Sequence, residues 1–103
     1  MIVLYIDTSV REEIKVGIDI DGKLYEKRAK NLKSQETLPL IEKLLKEKKI
    51  KLNQINEIKV NTGPGSFTGL RVGVAIANAL GFSLKIPVNG KKVGEYVSPI
   101  YTK

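Results

Sequence analysis

The 103-residue sequence predicts an α/β domain, a mixed sheet carrying helices, with elements in the order βββαβαβ. Three observations predict it. The first 30 residues hold three apolar or alternating runs separated by turn residues. From about residue 35 the apolar pattern changes to helical spacing. A short β-rich run, a glycine turn and a second helical run follow, the layout of parallel strands joined by crossover helices.

The run 2–7, IVLYID, is apolar almost throughout and reads as a central strand. In 12–20, Ile14, Val16, Ile18 and Ile20 alternate with polar residues, a half-buried strand. Asp21-Gly22 is the favoured pair for a two-residue type I′ turn, and 23–30 returns as a third strand. Ser34 is placed to cap a helix over 35–49. Pro39 is tolerated only in a first turn, so that helix is expected to start as late as 38. Leu38, Ile41 and Leu45 form one stripe on it, Leu40 and Leu44 a second. A fourth strand over 57–63 should lie parallel to the first. A helix follows from about 66 to 80 with Gly81 in the C′ role. The run 84–88 reads as a fifth strand, and Asn89-Gly90 signals a hairpin returning over 91–97. One domain, 1–103, is expected, with 1–88 as core and 89–103 as hairpin or tail.

Composition excludes several function classes. There is no cysteine and no histidine, which removes disulfides, thiolate metal sites and the commonest general base. No apolar run approaches the roughly 20 residues of a membrane span, and no basic region precedes the first apolar run. A cytoplasmic location is expected. Net charge is +7, and residues 23–51 hold ten basic and four acidic residues. Within them Lys46, Lys48, Lys49 and Lys51 cluster near a helix C-terminus. They read either as an RNA-facing patch or as a solvated helix end favoured by the dipole. No aromatic interleaves with them in sequence, which argues against base stacking there.

The stretch 61–82, NTGPGSFTGLRVGVAIANALGF, carries the strongest pattern. It lacks the lysine of a P-loop, and its third glycine is one residue late for a dinucleotide fingerprint. A helix N-terminus after a glycine turn keeps a generic capacity for anions. Gly69, Gly73 and Ala77 fall four apart, and two glycines inside a helix cost about 1 kcal/mol each relative to alanine. Close approach of another backbone would offset that. The approaching element is either the domain's own sheet or a second molecule, and an intermolecular interface is the favoured expectation. The interface residues are then Leu40, Leu44, Gly69, Leu70, Arg71, Gly73, Val74 and Ala77.

IDTS (6–9), SQETLPLIEKLL (34–45) and above all GPGSFTGLR (63–71) resemble the TsaB (YeaZ) family, and IPV (86–88) fits its following strand. The resemblance covers about 1–88. It implies one lobe of the actin-like, RNase H-like, sugar-kinase-like ATPase superfamily (ASKHA), with the family's second lobe missing. SPIYTK (98–103) resembles the segment that closes two-lobed members, which points to a one-lobe form. Family members serve as partners of TsaD, which, with the ATPase TsaE, makes threonylcarbamoyladenosine in tRNA; the contact runs through helices of this lobe. The resemblance therefore implies a non-catalytic scaffold for a TsaD-like protein. It implies no catalytic residue, cofactor or metal, a TsaE-like ATPase in a larger complex, and tRNA contact through the complex. A homodimer through the two helices is expected when the chain is alone, because an exposed apolar helix surface should not stay in water. Asp7 falls where superfamily kinases place a Mg²⁺-linked carboxylate; as a strand-end residue it also suits a turn cap. Two alternatives remain at this point: an ATP-binding phosphotransferase lobe using Asp7 and the glycine turn, and a small basic RNA-binding module.

Overall fold

The computed structural model describes residues 1–30 and 33–100, leaving aside the side chains of 33–35 and 67. Strands β1 (Ile2–Asp7), β2 (Glu13–Ile20) and β3 (Lys23–Lys30) form a meander, followed by helix α1 (Lys33–Glu47). A 3-10 turn (Leu52–Gln54), strand β4 (Glu57–Val60) and helix α2 (Phe67–Leu84) complete the chain's regular structure. The sheet order is β3-β2-β1-β4, with β4 parallel to β1 and the other pairs antiparallel. β1 is thus central, as its continuous apolar run predicts. Asp21 (φ 52°) and Gly22 (φ 93°) both take the positive φ that a type I′ turn needs.

The pleat decides what each face carries. Leu4 stands opposite Ile18 and Ile6 opposite Val16, so these residues share one face. Both helices pack there, closing a core with Ile41, Leu44 and Leu45 of α1 and Val74 and Ala77 of α2. The other face presents Tyr5, Asp7, Lys15, Gly17, Leu24, Glu26 and Lys59 around a groove of about 300 Å³.

Several expectations are corrected. α1 begins at Lys33, which puts Ser34 inside it rather than before it; the Ser34 side chain lies outside the described residues. Pro39 sits inside α1. The helix continues through it because Thr37, Ile41, Leu44 and Leu45 are held in the core. Leu38 turns away from that stripe and is 42 % exposed. α2 runs past Gly81 to Leu84, and its left-handed cap is Lys85 (φ 56°). Gly81 is there for space: an added Cβ would lie 2.4 Å from Val88 Cγ2.

No fifth strand forms among the described residues. Leu84 belongs to α2, and only Val88 bridges to Ile58 of β4. Asn89 does the rest with its side chain. It accepts from the Val60 N–H (2.8 Å) and donates to the Val60 carbonyl (3.0 Å), standing in for a strand backbone. The Asn89-Gly90 turn closes through Lys91 N–H to the Val88 carbonyl, but no strand returns. Instead the Asn78 amide of α2 bonds both the N–H and the carbonyl of Val97, fixing the tail to the helix. Residues 101–103 of the closing motif lie outside the described residues.

Candidate partner-docking site

The two motifs meet at one end of the sheet. Asp7 ends β1, and its Oδ1 accepts from the N–H (2.9 Å) and hydroxyl (2.6 Å) of Ser9. Burial raises the Asp7 pKa, but the Ser9 hydrogen bonds, helped by Asn61 and Lys15, outweigh it and hold the carboxyl below its ordinary value. Asn61 Nδ2 reaches Ser9 Oγ, and Asn61 Oδ1 accepts the Gly63 N–H. The Ser66 N–H is given to the Ser9 carbonyl at 2.8 Å. Gly65 allows this approach: a Cβ there would lie 2.7 Å from the Ser9 carbonyl oxygen.

Thr8 goes further. Its buried hydroxyl donates to the Gly69 carbonyl and accepts from the Gly73 N–H, the two ends of one helical rung. The side chain just after β1 is thereby set into the hydrogen-bond ladder of α2.

Asp7 Oδ1 caps the turn after β1 through Ser9, and the Ser66 N–H at the start of α2 is given to the Ser9 carbonyl. This geometry decides one question left by the sequence. The small row Gly69, Gly73, Ala77 faces the domain's own sheet, not outward. An added Cβ at Gly73 would lie 2.3 Å from Thr8 Oγ1. Leu44, Leu70, Val74 and Ala77 are all buried in the core as well. They have no surface to offer a partner, because the space the glycines leave is filled by β1. Leu40 is half-buried; of the expected interface residues only Arg71 is exposed.

The opposite stripe of α2 is the open one. Thr68, Arg71, Ala75, Ala79 and Phe82 recur at intervals of three and four and are all exposed, with Val72 half-buried beside them. Arg71 is the only charged residue in α2. Phe82 is 63 % exposed, and Tyr96 of the tail packs on it edge-to-face at 6.5 Å between ring centres. Sequence reading named Arg71 but missed Ala75, Ala79, Phe82 and Tyr96. The signal for the helical three lay in the period itself: once the glycines face inward, positions 75, 79 and 82 must face out. Even so, no described helix is long and apolar enough to cross a membrane.

The lysine cluster is also rearranged by folding. Lys48 Nζ lies 3.9 Å from the centre of the Tyr25 ring, and Lys23 Nζ lies 5.6 Å from it. An aromatic does stand among the lysines, contrary to the sequence expectation, because β3 brings it there from far along the chain.

Comparison with known proteins places this geometry. The fold superimposes on YeaZ from Pseudomonas aeruginosa with a TM-score of 0.80 at 32 % identity, covering 84 % of this chain and 41 % of that one. The family model "TsaD: tRNA N6-adenosine threonylcarbamoyltransferase" matches residues 26–91. The chain belongs to the TsaB (YeaZ) family. A TsaB from Buchnera aphidicola subsp. Schizaphis graminum, described as a tRNA threonylcarbamoyladenosine biosynthesis protein, is 39 % identical over 92 residues, 86 % of this chain and 43 % of the relative. A tRNA N6-adenosine threonylcarbamoyltransferase from Nitrosospira multiformis is 40 % identical over 65 residues, 61 % of this chain and 19 % of the relative. The chain thus spans about two fifths of the length of the TsaB and YeaZ proteins it matches.

Proposed function

We propose that this chain is a non-catalytic docking subunit for a TsaD-like threonylcarbamoyltransferase in threonylcarbamoyladenosine formation on tRNA. The observation that carries the reading is the second apolar side of α2. One side of the helix is consumed by the sheet. The other leaves Ala75, Ala79 and Phe82 in water with a single charge beside them. A shallow stripe of alanines between an aromatic pair and an arginine suits a second helix, whose side chains fill the space the alanines leave. The resemblance supports the partner's identity, since family members meet TsaD through helices of this lobe. The use of Asp7 as a turn cap for Ser9 supports an accessory role rather than phosphotransfer. A TsaE-like ATPase and tRNA would join through the complex.

The test is complex formation with a TsaD-like protein, followed by gel filtration. Ala79→Arg places a long charged side chain on the open stripe without touching the core. It should abolish the complex and leave thermal unfolding unchanged once the loss of a homodimer's contribution is allowed for. A folded Ala79→Arg protein that binds normally would overturn the assignment of this face.

A further inference from the structure

The end of the domain where α1 stops beside the β2–β3 hairpin collects lysines from three places in the chain. Lys23 comes from the start of β3, Lys46 from the last turn of α1, and Lys48, Lys49 and Lys51 from the residues after it. The acidic residues nearby are committed elsewhere. Glu47 pairs with Lys27 at 2.9 Å, Glu26 with Lys15 at 3.8 Å on the sheet's open face, and Asp21 of the hairpin with the N-terminal ammonium, while Asp19 accepts from the Gly22 N–H. Among the described residues, none of those five lysines has a carboxylate within ion-pair distance. Tyr25 organises two of them by drawing Lys48 and Lys23 to its ring, which partly offsets their mutual repulsion. The negative pole of α1 favours the others.

We infer that this lysine edge around Tyr25 binds the phosphate backbone of RNA. A fixed group of ammoniums without counter-charges lowers its free energy most by taking up closely spaced anions, and a nucleic-acid backbone supplies them by releasing its counterions. The choice of RNA rests on the tRNA-directed reading above. The edge shares no residue with the open stripe of α2.

The experiment measures binding of an unmodified tRNA transcript to the full chain across a salt series, with a phosphatidylserine-containing vesicle as the competing surface. Five lysines set a slope of log K against log salt of up to about −4. Lys23→Ala/Lys46→Ala/Lys48→Ala should weaken binding about tenfold or more and flatten the slope by about 2–3. The control, Lys59→Ala/Lys91→Ala/Lys92→Ala, removes equal charge from the side of β4, the opposite edge of the sheet, and should keep wild-type binding. Tyr25→Leu keeps the net charge and should weaken binding about two- to fivefold by releasing the two ammoniums. Equal losses in the two triple variants, or binding to the vesicle without binding to the transcript, would overturn the inference. Complex formation with the TsaD-like protein is followed in parallel. An intact complex without RNA binding sinks this inference alone, and RNA binding without a complex sinks the docking role alone.

Discussion

At Gly73 one methyl group decides between two opposing effects. Alanine is the better helix former by about 1 kcal/mol. Its Cβ would meet Thr8 Oγ1 at 2.3 Å, and the strand behind Thr8 is central and cannot retreat. Overpacking of about 1–3 kcal/mol plus a weakened Thr8 hydrogen bond of about 1 kcal/mol exceeds the propensity gain. Gly73→Ala should therefore lower Tm by about 5–15 °C; a Tm above wild type in thermal unfolding would refute the contact. At Asp7 the sign of the pH effect follows from the direction of its shift. A carboxyl held below its ordinary value stabilises the fold fully above the unfolded pKa of about 3.9. That contribution disappears as pH falls through the lower folded value. The stability gap between wild type and Asp7→Asn, from urea unfolding, should be constant from about pH 5 to 8 and shrink below about pH 3.9.

Among the elements, the strands of the meander were legible because alternation and an Asp-Gly turn are local signals. The fifth strand was not. Its pairing stops at the single Val88 bridge and is completed by the Asn89 side-chain amide, which no backbone periodicity reports. The faces of α2 were misassigned for a related reason. Small residues four apart announce a close approach but not by what, and the approaching group, Thr8, lies some 65 residues earlier. The tail is likewise fixed by a side chain. Asn78→Ala should release residues 93–100, seen as faster amide exchange there with the strand amides unchanged. Phe82→Ala removes a side chain that is mostly in water. It should change stability by under about 1 kcal/mol, yet weaken the complex with the TsaD-like partner by about tenfold or more.

Over the whole molecule, the two edges of the sheet are handled differently. The outer edge of β4 is sealed by Pro87, Val88 and Asn89. Among the described residues no strand pairs with the outer edge of β3, which carries Lys23, Lys27, Arg28 and Lys30, and these discourage strand addition by another copy. The exposed side of α2 carries no such protection. Self-association should therefore run through α2 and not through the sheet. Sedimentation should show a dimer at micromolar concentrations that Ala79→Arg converts to a monomer; a dimer that survives this substitution would place the contact elsewhere. Fold class and family motif were readable from the sequence because both rest on runs of adjacent residues. The lysine edge was only half readable, since its aromatic centre arrives from β3.

The Thr8 hydroxyl set into the Gly69–Gly73 rung has a consequence for how the two motifs can vary. Oγ1 is the atom that an alanine at 73 would strike, and in Thr8→Ala that atom is gone. The two substitutions are therefore not independent events. Thr8→Ala loses two buried hydrogen bonds, but Gly69 and Gly73 can then bond each other as an ordinary helical pair. Gly73→Ala then becomes less damaging on that background than on the wild type. A double-mutant cycle should show a favourable interaction energy of about 1–2 kcal/mol between positions far apart in the chain. While threonine stands after the strand's aspartate, glycine is the residue that fits at the second turn of the distant helix, and the two short motifs answer to one contact.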